Sequence, residues 1–138
     1  MISVIHVFGE LDYEKKRNPC NEKKEKSIRV DIIKFKQALL NLIKNAVEAS
    51  PPEGEVIIVV DGEGEKLRLA ISDKGSGIAE EHLSRVFSPF FSTKKSGTGL
   101  GLTFAQRIVE LHGGMVKAEN QPEGGAIFTV EIPENAST

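Results

Sequence analysis

Two spacings of apolar residues alternate along the 138-residue chain, one of about two and one of about 3.6. Residues 2–8 (Ile-Ser-Val-Ile-His-Val-Phe) read as a short strand. Residues 10–27 are nearly all polar, with Lys15, Lys16, Arg17, Lys23, Lys24 and Lys26 interleaved with Glu14, Glu22 and Glu25. That composition predicts a solvated loop or hairpin end. Residues 28–30 (Ile-Arg-Val) are expected to resume the sheet. Asp31 is placed to cap a long helix ending near Ala49, whose apolar positions Phe35, Leu39, Leu42, Ile43 and Ala46 keep helical spacing. Ser50-Pro51-Pro52 stops it, because proline lacks the amide that the next helical turn requires.

Strands are predicted over 55–61 and 66–72, joined by Gly62-Glu63-Gly64-Glu65. A glycine loop covers 73–77 and a short helix 79–87. Residues 88–98 have no clean period and end in small side chains, the make-up of a mobile lid. A second amphipathic helix is expected over 100–112, with Gly113-Gly114 as its stop signal. Strands over 115–119 and 126–132 close the chain as a hairpin around Pro122-Glu123-Gly124-Gly125. Helices alternating with paired strands predict one α/β domain, with helices packed on one face of a mixed sheet.

Composition narrows the class. Apolar residues make up 39% and charged residues 28%, ordinary values for a water-soluble domain. A formal net charge of −2 supplies no global basic field for nucleic acid or an anionic bilayer. The single cysteine, Cys20, excludes an internal disulfide framework, and no apolar run approaches the roughly 20 residues of a bilayer span. The chain start lacks a signal peptide's pattern. A cytoplasmic location and no membrane insertion are the expectations.

Candidate chemistry lies in three places. On the helix over 31–49, Lys34, Gln37, Asn41, Lys44, Asn45 and Glu48 fall opposite the apolar stripe, and Asn41 and Asn45 are one turn apart. Side-chain amide oxygens are hard neutral ligands suited to Mg²⁺, although the helix by itself favours a merely solvated face with two harmless amides. Asp73-Lys74-Gly75-Ser76-Gly77 follows an apolar strand directly. It puts a carboxylate at a strand end beside glycines that admit a flat ligand, or else makes a tight turn. Gly97-Thr98-Gly99-Leu100-Gly101-Leu102 opens a helix whose free amides suit phosphate, or else is a flexible hinge. It is neither the dinucleotide fingerprint nor a P-loop. Between these clusters, Phe87, Phe90 and Phe91 suit anchors of a loop to a core, and Lys94 and Lys95 suit phosphates or solvent.

Taken in order, Asn41-Leu-Ile-Lys-Asn45-Ala46, Asp73-x-Gly75-x-Gly77, Phe87-x-Pro89-Phe90-Phe91 and Gly97-Thr98-Gly99-Leu100-Gly101-Leu102 resemble the four nucleotide-binding boxes of sensor histidine kinases. The nitrogen-regulatory type, with its Ser-Pro-Phe-Phe-Ser-Thr-Lys lid, is the nearest in pattern. The resemblance covers about residues 30 to 133. It implies the Bergerat fold: an α/β (α+β) two-layer sandwich, with a mixed, mostly antiparallel sheet and about three helices on one face. It also implies ATP as substrate and Mg²⁺ as its companion. Asp73 would accept from the adenine amino group, and Gly75 and Gly77 would shape the adenine pocket. Asn45 would coordinate Mg²⁺, with Asn41 supporting the phosphates or the metal shell. Lys94 would approach the γ-phosphate. Gly97, Thr98, Gly99, Leu100 and Gly101 would form the closing phosphate segment.

The gyrase and heat-shock relatives of this fold carry a water-activating glutamate one turn before the metal-binding asparagine. Here Asn41 stands there, an amide that cannot act as a general base. The resemblance therefore implies a kinase more than a hydrolase, in which the γ-phosphoryl is kept for an incoming nucleophile. In the family the acceptor histidine sits on a dimerising helical hairpin. His6, His82 and His112 are the only histidines in this chain. His112 reads as a helix-end residue, and none of the three lies in a long upstream helix. The expectation is one domain over 1–138, with an atypical edge over 1–30, a nucleotide-binding core over 31–133, and the acceptor domain elsewhere. The partners implied are ATP or ADP, that histidine-bearing domain and, downstream, a response regulator, with this part monomeric. An anti-sigma factor serine kinase and a nucleotide-dependent interaction module without phosphotransfer are the alternative readings.

Overall fold

A computed structural model describes residues 4–9, 30–63, 66–91 and 100–133. Strand β1 is Val4–Gly9 and helix α1 is Ile32–Ala49. Strands β2 (Glu55–Glu63) and β3 (Lys66–Ser72) follow, then a single helical turn, α2 (Glu80–Leu83). Helix α3 (Gly101–Leu111) and strands β4 (Met115–Asn120) and β5 (Ala126–Pro133) complete the order. The five strands lie as β1-β2-β3-β5-β4, with β1 parallel to β2 and every other pair antiparallel. This is the mixed, mostly antiparallel sheet of the expected two-layer sandwich.

The strand register explains the core. Ile58, Ile71, Phe128 and Ala118 form one row across β2, β3, β5 and β4. Val60, Leu69, Val130 and Val116 form the next. All eight belong to, or pack against, one apolar cluster, because alternate residues of a strand share a face. β5 alternates buried and half-buried positions from end to end, the plainest case of a one-sided strand. The helical layer meets this face through Ala38, Leu42 and Ala46 of α1 and Ala105, Ile108 and Val109 of α3. Alanines at three of these six positions let the helix backbones lie close to the sheet and to each other.

Both helix boundaries follow from capping. The Asp31 side chain accepts from the Lys34 amide at 3.1 Å. The Ser50 hydroxyl and amide both return to the Ala46 carbonyl at the other end. At the end of α3 the amide of Gly113 bonds the Glu110 carbonyl and that of Gly114 the Val109 carbonyl. That is the two-bond Schellman stop that the Gly-Gly pair predicts, with Gly113 at φ 78°.

Three local expectations change. Val30 is not in a strand: it enters α1 and packs half-buried on the core, while 28 and 29 lie outside the described residues. The helix expected over 79–87 is only Glu80–Leu83. Beyond it the chain proceeds by successive turns, Arg85 amide to His82 carbonyl and Ser88 amide to Arg85 carbonyl. Turns rather than a helix let Val86 be buried while Phe87 packs edge-on against Phe128 at 5.9 Å. Finally, β2 runs on to Glu63, through two positions read as turn. The polar segment 10–27 and most of the predicted lid lie outside the described residues.

Candidate functional site

The last residue of β3 hands the chain to Asp73, the sole buried charged or polar residue among those described, at 1% exposure. Its backbone amide still bonds the Ala126 carbonyl on β5 at 2.9 Å, so the side chain departs from a fixed point. One carboxylate oxygen, Oδ1, accepts from the amides of Gly75 (2.9 Å) and Ala126 (3.1 Å). The other, Oδ2, is buried and has no hydrogen-bond partner. A buried acceptor without a donor costs about 1–3 kcal/mol, more when charged. At the mouth of a glycine loop, such an acceptor is suited to a donor from outside the chain.

The loop after Asp73 is pressed against the end of α1. A Cβ on Gly75 would overlap the Ala49 carbonyl oxygen, so only glycine fits there. From that contact α1 serves as a rail. Asn45 lies one turn back from Ala49, and Asn41 a further turn back; from Asn41 to Ala49 is about 12 Å of helix. Both asparagines are half-buried. Asn41 joins the two helices: its Nδ2 donates to the Gly101 carbonyl at 3.2 Å, and its Oδ1 accepts from Gln37 Nε2 at 2.9 Å. The first and last predicted boxes therefore meet where α3 begins. Thr103, in the first turn of α3, donates to the Phe87 carbonyl at 2.8 Å and ties the phenylalanine box to the same helix.

Of the predicted site residues, Asn41, Asn45, Asp73, Gly75, Gly77 and Gly101 are thus lined up along α1 and at its two neighbours. Leu100 is described and 43% exposed. Lys94, Gly97, Thr98 and Gly99 lie outside the described residues. The three phenylalanines diverge. Phe87 reaches the core, and Phe91 stacks edge-on to His82 beneath the Arg85 guanidinium, 5.2 Å from its ring centre. Phe90 is 77% exposed at φ 64°. His112 is structural, as its helix-end position predicts. Its Nε2 accepts from the Asp31 amide at 2.9 Å and its Nδ1 bonds the Ile108 carbonyl at 2.7 Å. It joins the start of α1 to the end of α3, so the two helices run antiparallel.

The β4–β5 hairpin contributes more than a sequence reading assigns it. Gly125, at φ 86°, abuts the Asp73 carbonyl so tightly that a Cβ would overlap it. Ala126 supplies one of the amides on Oδ1. In the sequence this stretch carries only a generic turn signal.

A mixed sheet covered on one face by two antiparallel helices, with a buried carboxylate at a strand end and two asparagines along one helix, defines a two-layer α/β sandwich. Comparison with known proteins places it further. The chain belongs to the histidine kinase-, DNA gyrase B- and HSP90-like ATPase family, whose model matches residues 30–136. It is 46% identical over 110 residues to the sensor histidine kinase ZraS of Klebsiella oxytoca, covering 78% of this chain and 24% of that one. Sporulation kinase A of Bacillus subtilis is 39% identical over 113 residues, 82% of this chain and 19% of the relative. The chain thus spans a quarter or less of those relatives. Among solved structures, the nucleotide-free catalytic domain of histidine kinase ThkA superposes with a TM-score of 0.78 at 32% identity, covering 96% of this chain and 80% of that one. The fold and the sequence are those of a histidine kinase catalytic domain.

Proposed function

We propose that this domain binds Mg-ATP and transfers the γ-phosphoryl group to a histidine on a separate dimerisation domain of a two-component sensor kinase. The observation that carries the reading is the buried Asp73, with one oxygen held by two backbone amides and the other left open. An acceptor fixed in this way suits the exocyclic amino group of adenine. A full-length histidine kinase, ShkA, solved in complex with the ATP analogue AMPPNP, superposes with a TM-score of 0.70 at 27% identity, over 94% of this chain and 26% of that one. Its bound nucleotide supports the same use here.

With the base at Asp73, α1 runs beside the ligand toward Asn45 and Asn41. The Asn45 amide oxygen has the hard, neutral character that Mg²⁺ accepts while sharing itself with phosphate oxygens. When bound, the ion would neutralise phosphate charge and align the γ-phosphoryl for in-line attack. Asn41 holds the start of α3 against α1, and so would set where the amides at that helix end meet the phosphates. Lys94, in the lid sequence, is the candidate cation for the γ-phosphate. Asn41 and Asn45 carry no basic group able to take a proton from water. The nucleophile is then the acceptor imidazole nitrogen, which forms the new N–P bond as the bond to the ADP oxygen breaks.

The histidine kinase ThkA has been solved in complex with the response regulator TrrA, and that structure superposes with a TM-score of 0.72 at 31% identity, covering 96% of this chain and 35% of that one. It supports a response regulator as the downstream partner of the parent protein. Among the described residues no helix is long and apolar enough to cross a membrane. A cytoplasmic site of action fits the ATP requirement. The test is transfer from γ-labelled ATP to an added helical-hairpin acceptor domain from a ZraS-type kinase. Acid-labile label on the acceptor histidine is expected. ATP binding without any transfer would replace the kinase reading with that of a nucleotide-gated interaction module.

A further inference from the structure

The loop that carries the adenine contact leaves β3 at Asp73, and its far end is not in any strand. At Ile78, however, both backbone polar groups are engaged by one side chain. Asn120, the last residue of β4, accepts from the Ile78 amide through Oδ1 at 2.7 Å. It donates from Nδ2 to the Ile78 carbonyl at 2.5 Å. Only one orientation of the amide makes both bonds, so the assignment of oxygen and nitrogen is determined by the partners. The side chain here does what a neighbouring peptide group does in a ladder, across 42 positions of sequence. Between the two anchors, Gly77 turns at φ 80°, and a Cβ there would come within 2.8 Å of Asn120 Oδ1. The same hairpin then returns to Asp73 through Gly125 and Ala126. Both ends of the loop are thus held by one element that contains none of the four boxes.

We infer that Asn120 is a positioning residue for base recognition: by clamping Ile78 it holds the loop on which Asp73, Gly75 and Gly77 sit, and so sets the preference for adenine. This rests on the nucleotide-binding reading above. Asn120 itself is exposed and need not touch the ligand. Its effect is therefore on the geometry with which Oδ2 of Asp73 meets an amino group. A geometric defect of this kind should weaken recognition of the base more than it weakens the fold.

The experiment compares ATP with inosine triphosphate, which has a carbonyl oxygen where adenine carries its amino group. Binding of each nucleotide would be titrated calorimetrically on the wild type, Asn120→Leu and Asn120→Asp. The aspartate variant keeps the acceptor for the Ile78 amide but sets an oxygen against the Ile78 carbonyl. Ile132→Val, in the core at the opposite end of β5, serves as a control that lowers melting temperature away from the site. Loss of two hydrogen bonds in the loop predicts ATP affinity lower by on the order of tenfold. The ATP-over-inosine preference should shrink in both Asn120 variants, while the control retains it. In an Asp73→Ala background, Asn120→Asp should cost almost nothing further. If affinity in the Asn120 variants falls only as melting temperature falls, or the base preference is unchanged, Asn120 is a plain structural residue and the inference is overturned. A wild type without any preference for ATP would instead sink the adenine reading of Asp73, and the positioning role with it.

Discussion

Replacing Asp73 by asparagine exchanges one atom, Oδ2, for an NH₂ group of nearly the same size. Oδ1 can go on accepting from the Gly75 and Ala126 amides at 2.9 and 3.1 Å, so the loop keeps its shape. The polarity of the open position is reversed. On the proposed adenine contact, an acceptor becomes a donor, and the adenine amino group would then meet another donor. A hydrogen bond to a charged partner contributes about 1.5–3 kcal/mol, and 1.4 kcal/mol is a tenfold change in Kd. ATP should therefore bind roughly 10-fold to roughly 150-fold more weakly, before any repulsion between the facing donors is counted. The unliganded fold should change little. Neutralising a buried carboxylate without a full set of partners relieves desolvation, while weaker bonds to the two amides offset that gain. Melting should shift by no more than about 4 °C. Calorimetric titration beside a thermal melt reads both quantities. Inosine triphosphate provides the converse, because its carbonyl oxygen can accept from the new amide, so its affinity should hold or rise. Unchanged ATP affinity in a folded Asp73→Asn variant would refute the reasoning, and so would a loss that merely tracks a lowered melting temperature.

Asn45→Ala should leave the melting temperature near wild type, since the side chain is half-buried on a helix surface, and should abolish most of the Mg²⁺ enhancement of ATP binding; titration with and without the ion measures this. Gly125→Ala forces a Cβ into the Asp73 carbonyl at φ 86° and should destabilise the domain by roughly 1–3 kcal/mol in chemical denaturation, with weaker ATP binding in the folded fraction. His112→Ala removes the bonds to the Asp31 amide and the Ile108 carbonyl and should lower stability by about 1–2 kcal/mol, with nucleotide affinity retained because His112 lies at the far end of the helix pair.

The periodic elements were legible because their signals are local. α1 announced itself by an aspartate cap, apolar residues at helical spacing and a Ser-Pro-Pro stop, and its observed limits match. β5 alternates faces residue by residue, so its register to the core could be read from its own letters. The helix expected over 79–87 was misjudged because local sequence cannot distinguish a short helix from a run of turns when the buried Val86 and half-buried Phe87 are drawn down by the sheet below.

For the proposed site, sequence alone gave the order of the boxes and the groups each one holds: a carboxylate after a strand, amides one turn apart, and glycines ahead of a helix. Tertiary structure decided which of these groups remain available. Only folding shows that one oxygen of Asp73 is consumed by the amides of Gly75 and Ala126 while the other is free, since Ala126 lies 53 positions away. The same holds for the Asn120 clamp on Ile78 and for the tie from Asn41 to Gly101, 60 positions apart. A hydrogen bond is short-ranged and directional, so whether a polar group is satisfied depends on a partner that chain topology delivers. Hydrophobic periodicity can be read one residue after another; the pairing of distant polar groups exists only once the sheet and helices have closed on each other.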